Sequence, residues 1–176
     1  GASTVESISE SVKVLRENGC NNIILLKCTS TYPASASNTN LKTIPHMREL
    51  FNCFTGLSDH TGGIGAAIAS VALGARVIEK HFTLNREDGG VDSAFSIEPN
   101  ELEALVIESE RAWESLGEVK YDVLKEENAS LRFKRSIYIV KDIKMGDIFT
   151  SENVRVIRPG DGMQPKYFEK ILGRKA

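Results

Sequence analysis

Residues 54–82, which decide the fold, read FTGLSDHTGGIGAAIASVALGARVIEKHF. Two short apolar stretches, 54–58 and 77–82, flank a run of small residues, 66–73, that stops at Gly74. The apolar stretches have the length of strands, and the small residues have the length of a short helix. A strand, a helix and a second strand in this order predict two parallel neighbouring strands, because parallel strands need a crossover connection.

The same alternation continues on both sides of this stretch. Upstream, Ser3-Thr4-Val5-Glu6 has the form of a capping box with Ser3 as the cap, and it opens an amphipathic helix that ends at Asn18-Gly19. A strand over 23–28 and a short helix over 41–50 follow. Downstream, Pro99 begins a long helix that ends at Gly117. Its predicted inward positions are Leu102, Leu105, Val106, Ala112, Trp113 and Leu116.

The predicted order α-β-α-β-α-β-α indicates a parallel α/β sheet. Three strands cannot close a barrel of eight, so this part is typical of the second half of a larger domain. Residues 121–130 are charged and aperiodic, as in a linker. From Leu131 onward short strands and the tight turn Lys144-Met145-Gly146-Asp147 predict a small β-rich unit. We therefore expect domains over 1–120 and 131–176.

Composition excludes several classes of protein. The chain has 176 residues, with 22 Lys and Arg against 24 Asp and Glu, so a general basic surface for nucleic acid is not expected. Its apolar stretches fall short of the roughly 20 residues that cross a bilayer. Three cysteines at no metal-ligand spacing indicate free thiols, which predicts a cytoplasmic protein. The first residue is Gly1, so we expect the chain to start inside its gene.

Two histidines carry the first indication of chemistry. His60 and His81 each stand at the C-terminal end of a predicted strand, and one helix separates the two strands. Neighbouring parallel strands bring such ends to the same rim of the sheet, where α/β enzymes place their sites. Two imidazoles could hold a divalent ion of the Mn, Fe, Co or Zn type, or could be hydrogen-bonded structural residues. His46 has no partner and is interpreted as structural.

Two other segments allow more than one interpretation. Gly63-Ile64-Gly65 precedes a helix, as in a dinucleotide-binding turn, but Ile68 occupies the third small position of that motif. The same glycines could expose backbone amides to a phosphate. Residues 28–33, Cys-Thr-Ser-Thr-Tyr-Pro, offer hydroxyls for an anion and a tyrosine for a sugar, or serve as an ordinary turn.

Five blocks together resemble the sialic acid synthase family: residues 26–33, 56–61, 77–84, 89–96 and 158–160. The resemblance implies condensation of phosphoenolpyruvate with an N-acylated amino sugar by a transferase with a (β/α)8 TIM barrel and a small SAF, or antifreeze-like, domain. It implies that this chain is the C-terminal half of the barrel, with strands 6–8, followed by a truncated SAF domain. It also implies a homodimer in which the SAF domain reaches the neighbouring active site.

The resemblance further implies a role for individual residues. His60 and His81 would bind a catalytic divalent metal, Mn or Mg. Ser30 and Ser58 would contact the phosphate, although neuraminate synthases commonly carry Asn at the position of Ser30. Contacts to the sugar would come from Tyr32, Asp92 and, for its N-acyl end, Arg158 in the neighbouring protomer.

The sequence of residues 27–30 and 89–96 is most similar to the pseudaminic acid synthase branch, whose sugar is a 2,4-diacetamido-2,4,6-trideoxy hexose. A neuraminate or legionaminate synthase, a non-catalytic SAF binding module and another metal-dependent barrel enzyme remain as alternatives. The last would need a further ligand, for which Asp59 and Glu79 are the near candidates. The family's catalytic Glu and phosphate-binding Lys lie on earlier strands, so we expect the 176-residue chain alone to be inactive.

Overall fold

A computed structural model describes all 176 residues and divides them into two compact units, Gly1–Glu118 and Val119–Ala176. None of the helices is long and apolar enough to cross a membrane.

The first unit contains a three-stranded parallel sheet in the order β1-β2-β3, formed by Ile24–Cys28, Phe54–Asp59 and Ile78–Lys80. The helices around it are α1 (Val5–Glu17), α2 (Thr43–Phe51), α3 (Gly65–Ala72) and α4 (Pro99–Glu114). The predicted order of strands and helices is confirmed. Gly56 allows β2 to approach its neighbour closely, because a Cβ atom there would collide with the carbonyl oxygen of Val77.

The start of α1 differs from the prediction by one residue. Thr4, not Ser3, is the N-cap, and its hydroxyl accepts from the amide of Ser7 at 3.3 Å. The Ser7 hydroxyl in turn accepts from the amide of Thr4 at 3.0 Å. Serine serves here as the reciprocal partner that Glu or Gln usually provides, so the Thr4–Ser7 pair forms the box in place of Ser3 and Glu6.

Two apolar clusters form the core of this unit. One joins α1, β1 and α2 through Val12, Ile23, Met47, Phe51 and Cys53. The other joins α3 to α4 through Ala67, Ile97 and Leu105.

The predicted inward face of α4 is largely wrong. Leu105 is 6% exposed, whereas Val106 and Trp113 are each 61% exposed. Within the first unit α4 packs mainly on α3, and this contact covers only a narrow stripe of the helix. The sequence of α4 therefore predicts more buried apolar positions than the first unit covers. The other predicted positions that are exposed are Leu102 and Leu116.

The second unit is built on an antiparallel pair, β4 (Ser136–Ile139) and β5 (Val154–Ile157). The short helices α5 (Asn128–Leu131) and α6 (Phe168–Ile171) belong to the same unit. The turn over 144–147 forms as predicted, with the amide of Asp147 bonded to the carbonyl of Lys144 at 3.0 Å. Residues 121–130, expected to be a linker, include a 3-10 turn at Lys125–Glu127 and the start of α5.

Candidate functional site

His60 and His81 each directly follow a strand, and a loop is bonded alongside each of them. The amide of Ala34 donates to the carbonyl of His60 at 2.8 Å, which brings the segment after β1 next to β2. The amide of Ile97 donates to the carbonyl of His81 at 2.9 Å. The strand predicted over 77–82 covers only Ile78–Lys80. These backbone bonds bring Tyr32, Asp92 and Phe95 to the histidines.

The two imidazole rings pack edge to face, with centroids 5.1 Å apart and planes 79° apart. Nδ1 of His60 lies 2.9 Å from the carbonyl oxygen of Thr29, and a carbonyl only accepts, so Nδ1 carries the proton. Nδ1 of His81 lies 3.4 Å from a carboxylate oxygen of Asp92, which favours a proton on that nitrogen too. In the neutral rings both Nε2 atoms are then left with a lone pair.

This donor set fits a divalent metal ion. Metal-binding histidines commonly hold their second nitrogen with a backbone carbonyl or a carboxylate, as His60 and His81 do. No group of three or more His, Cys, Asp or Glu side chains lies close enough to hold a metal. Two imidazoles would thus be the ligands that this chain could offer such an ion, and they would leave coordination positions for substrate and water.

A row of polar side chains, one from each strand, crosses the sheet next to the histidines. In the register of the strands Cys28 lies opposite Ser58, and Ser58 lies opposite Glu79. The Ser58 hydroxyl donates to Oε1 of Glu79 at 2.6 Å, and its oxygen lies 3.4 Å from Nε2 of His60. Ser30 reaches the same row, with its Oγ 3.6 Å from Sγ of Cys28. The two predicted phosphate-binding hydroxyls therefore flank one thiol.

The thiol of Cys28 has a perturbed acidity. Its burial acts to raise the pKa, and hydrogen bonds with Ser30 and Ser58 act to lower it. The pKa of Cys28 lies below its ordinary value. A thiol polarised by hydroxyl groups marks this end of the row as a polar environment.

Aromatic rings form one wall of the site. Tyr32 lies 4.4 Å from the ring of His60 and 5.8 Å from that of His81. Phe95 lies 5.2 Å from His81 and 6.1 Å from Tyr32. Tyr32 remains 54% exposed, so part of its side chain is accessible to a ligand.

The other candidate residues lie elsewhere. Asp59 is bonded to Lys80 on the opposite face of the sheet, so it is not available as a ligand for the histidine pair. His46 lies on α2, apart from the site. Arg158 belongs to the second unit, where it directly follows β5 and is exposed without an ion pair.

Three contributors were not predicted as site residues: Phe95, the thiol of Cys28 and Glu79 as the acceptor of Ser58. A simple signal could have found the last two. Side chains alternate between the faces of a strand, so residues two positions before a site residue share its face. Cys28 precedes Ser30, Ser58 precedes His60 and Glu79 precedes His81 by this interval.

Known proteins resemble this chain along its whole length. The sequence profile of the NeuB family matches residues 1–121, and that of the SAF domain matches residues 134–176. The chain is 42% identical over 176 residues to the pseudaminic acid synthase of Campylobacter jejuni subsp. jejuni serotype O:2, covering 100% of this chain and 51% of that protein. It is 38% identical over 179 residues to the N,N'-diacetyllegionaminic acid synthase of the same bacterium, covering 100% of this chain and 54% of that protein.

The fold is similar to that of a solved sialic acid synthetase. The N-acetylneuraminic acid synthetase from Leptospira borgpetersenii serovar Hardjo-bovis, in complex with citrate, matches with a TM-score of 0.66 and 35% identity. The match covers 74% of this chain and 45% of that one. The chain spans about half the length of the curated relatives it matches.

Proposed function

Since this chain belongs to the NeuB family and contains a SAF domain, we propose that it is part of a synthase that condenses phosphoenolpyruvate with an N-acylated amino sugar. The products are a nonulosonic acid and inorganic phosphate. The 42% identity to a pseudaminic acid synthase favours 2,4-diacetamido-2,4,6-trideoxy-altrose as the sugar. The parallel strands β1 to β3 would be the last three of a (β/α)8 barrel.

The observation that carries the proposal is the pair of adjacent imidazoles with free Nε2 atoms. His60 and His81 would hold a divalent ion, Mn or Mg, and the bound ion would polarise the aldehyde of the open-chain sugar. The residues of the chain fix this pair before any ligand arrives, because Thr29 and Asp92 hold the Nδ1 atoms.

The hydroxyl row suits the phosphate of phosphoenolpyruvate. Ser58 lies on the same face of the sheet as His60, Ser30 lies 3.6 Å from the thiol of Cys28 opposite Ser58, and a hydroxyl can donate to a phosphate oxygen. The enol carbon C3 would attack the sugar aldehyde, water would add at C2, and phosphate would leave by cleavage of its C–O bond. Tyr32 and Asp92, which lie beside the histidines, would contact the sugar.

Further groups must come from outside the first unit. Phosphoenolpyruvate carries several negative charges, yet both lysines at the strand ends are engaged: Lys27 with the carbonyl of Cys28 at 2.9 Å, and Lys80 with Asp59 at 2.9 Å. A phosphate-binding Lys and a catalytic Glu would be supplied by the other barrel strands. Arg158, whose planar guanidinium can bind an acyl oxygen with fixed geometry, would reach the sugar in a neighbouring protomer of a homodimer.

The test uses the gene product that contains these residues. Purified protein is incubated with phosphoenolpyruvate, the altrose derivative and Mn²⁺, and phosphate release and the nonulosonic acid are measured. His60→Gln and His81→Gln should each abolish turnover and weaken Mn²⁺ binding, whereas the control His46→Gln should change neither. Retained turnover in either site variant would contradict the metal assignment. Turnover with only the neuraminate or legionaminate precursor would reassign the sugar.

A further inference from the structure

A buried ion pair lies on the face of the sheet opposite the histidines. We propose that Asp59 and Lys80 form a positioning pair that sets the separation and orientation of His60 and His81. This inference rests on the proposed metal-binding function of the two histidines. It assigns a role to side chains that contact neither ligand nor metal.

The ion pair ties together the backbone on both sides of His60. Nζ of Lys80 donates to Oδ2 of Asp59 at 2.9 Å and to the carbonyl oxygen of Thr61 at 2.7 Å. The amide of Thr61 donates to Oδ1 of Asp59 at 2.9 Å. The residues before and after His60 are thus bonded to each other and to the residue that precedes His81.

The alternation of side chains along a strand explains why this pair lies on the face of the sheet opposite the histidines. Ser58 and Glu79 lie opposite each other on one face of β2 and β3, and Asp59 and Lys80 form the next pair along the same register. Successive side chains point to opposite faces, so the ion pair projects away from the imidazoles. Its only connection to the site is through the backbone.

Burial makes the pair stiff and sensitive to change. The side chains of Lys80 and Asp59 are 4% and 0% exposed, so water does not weaken their attraction. Removing one partner leaves an uncompensated buried charge, whereas removing both charges together is often tolerated. The double change therefore separates the loss of positioning from the loss of stability.

The test uses Lys80→Met, Asp59→Asn and the double variant in the gene product that contains these residues. The Asp59→Asn substitution keeps a side-chain oxygen that can accept from the amide of Thr61. Mn²⁺ affinity is measured by electron paramagnetic resonance of the free ion, and stability by thermal unfolding. Met47→Ala is the control, because Met47 is 6% exposed in a cluster that contains no histidine.

We expect Lys80→Met to raise the Kd for Mn²⁺ about tenfold, the low end of the effect of losing a direct partner of a metal ligand, because Lys80 acts through the backbone. The double variant should regain most of the stability lost in Lys80→Met, while its Kd for Mn²⁺ stays raised. The conservative variant Lys80→Arg should bind Mn²⁺ with an affinity close to that of the unaltered protein. Met47→Ala should lower the melting temperature and leave the Kd unchanged. If Lys80→Met does not fold, the double variant decides.

Two results would overturn the positioning role: a double variant with the affinity of the unaltered protein, or a control that loses as much affinity as the Lys80 variants. Different results would refute the proposed metal-binding function. It is refuted when the unaltered protein binds no Mn²⁺, or when His60→Gln and His81→Gln bind it normally.

Discussion

Removal of the Glu79 carboxylate should weaken metal binding at His60, although Glu79 is not a proposed ligand. The Ser58 hydroxyl donates to Glu79 at 2.6 Å, and its oxygen lies 3.4 Å from Nε2 of His60. The hydroxyl hydrogen is therefore directed away from His60, and the Nε2 lone pair stays open. With Glu79→Ala the hydroxyl loses its acceptor and turns its hydrogen toward Nε2.

The strength of this new hydrogen bond sets the size of the effect, because a metal ion must break it to bind. A hydrogen bond between neutral groups contributes about 0.5–1.5 kcal/mol. Ser58 is 7% exposed, so little water competes with the bond. We therefore take a value near the upper end, about 1.4 kcal/mol, which raises the Kd for Mn²⁺ about tenfold.

The assay is a set of Mn²⁺ titrations followed by electron paramagnetic resonance. Glu79→Ala should bind about tenfold more weakly, and the double variant Ser58→Ala/Glu79→Ala should bind as Ser58→Ala does, since no hydroxyl is left to compete. Glu79→Gln is the matched control, because its amide oxygen still accepts from Ser58. If the double variant is as weak as Glu79→Ala, or if Glu79→Gln is equally weak, the carboxylate acts through its charge and the reasoning is refuted.

Three further outcomes are expected. Inorganic phosphate should slow the alkylation of Cys28 by iodoacetamide, measured by mass spectrometry, and leave the exposed Cys20 unaffected; equal rates at Cys28 with and without phosphate would argue against the phosphate site. Leu57→Ala, at a side chain that is 0% exposed, should lower the free energy of unfolding in denaturant by about 2–5 kcal/mol. Phe54→Ala on the same strand, 61% exposed, should change it by about 0.5 kcal/mol or less, and similar losses for both would contradict the packing described. The 176-residue chain on its own should release no phosphate from phosphoenolpyruvate and the sugar, because the lysines at its strand ends are already bonded; turnover above background would show that the first unit needs no added cation.

The order of strands and helices could be predicted because each element carries its own local signal. The family was predicted correctly as well, since five spaced blocks of sequence constrain it far more than any single motif. The cap of α1 was misplaced by one residue because Ser3 and Thr4 are equally good caps, and only the position of Ser7 decides between them. The exposed face of α4 could not be predicted, because the spacing of apolar residues shows which face of a helix can be buried and not whether another element packs on that face.

The candidate site was predictable as far as strand ends can define it. The parallel order of β2 and β3 was enough to bring His60 and His81 together. The hydrogen bond from Ser58 to Glu79 and the bond from Lys80 to Thr61 depend on the cross-strand register and on side-chain rotamers. Spacing along one strand can place Glu79 on the face of the site, but it encodes neither quantity, so these two bonds required the structure.

The alternation along β2 has a consequence for insertions and deletions. Insertion of one residue just before Ser58 would shift the remainder of the strand by one register position and exchange its two faces. The carboxylate of Asp59 would then enter the site, and the imidazole of His60 would point toward the buried ammonium of Lys80. The length of this strand is therefore as tightly constrained as the identity of its polar residues.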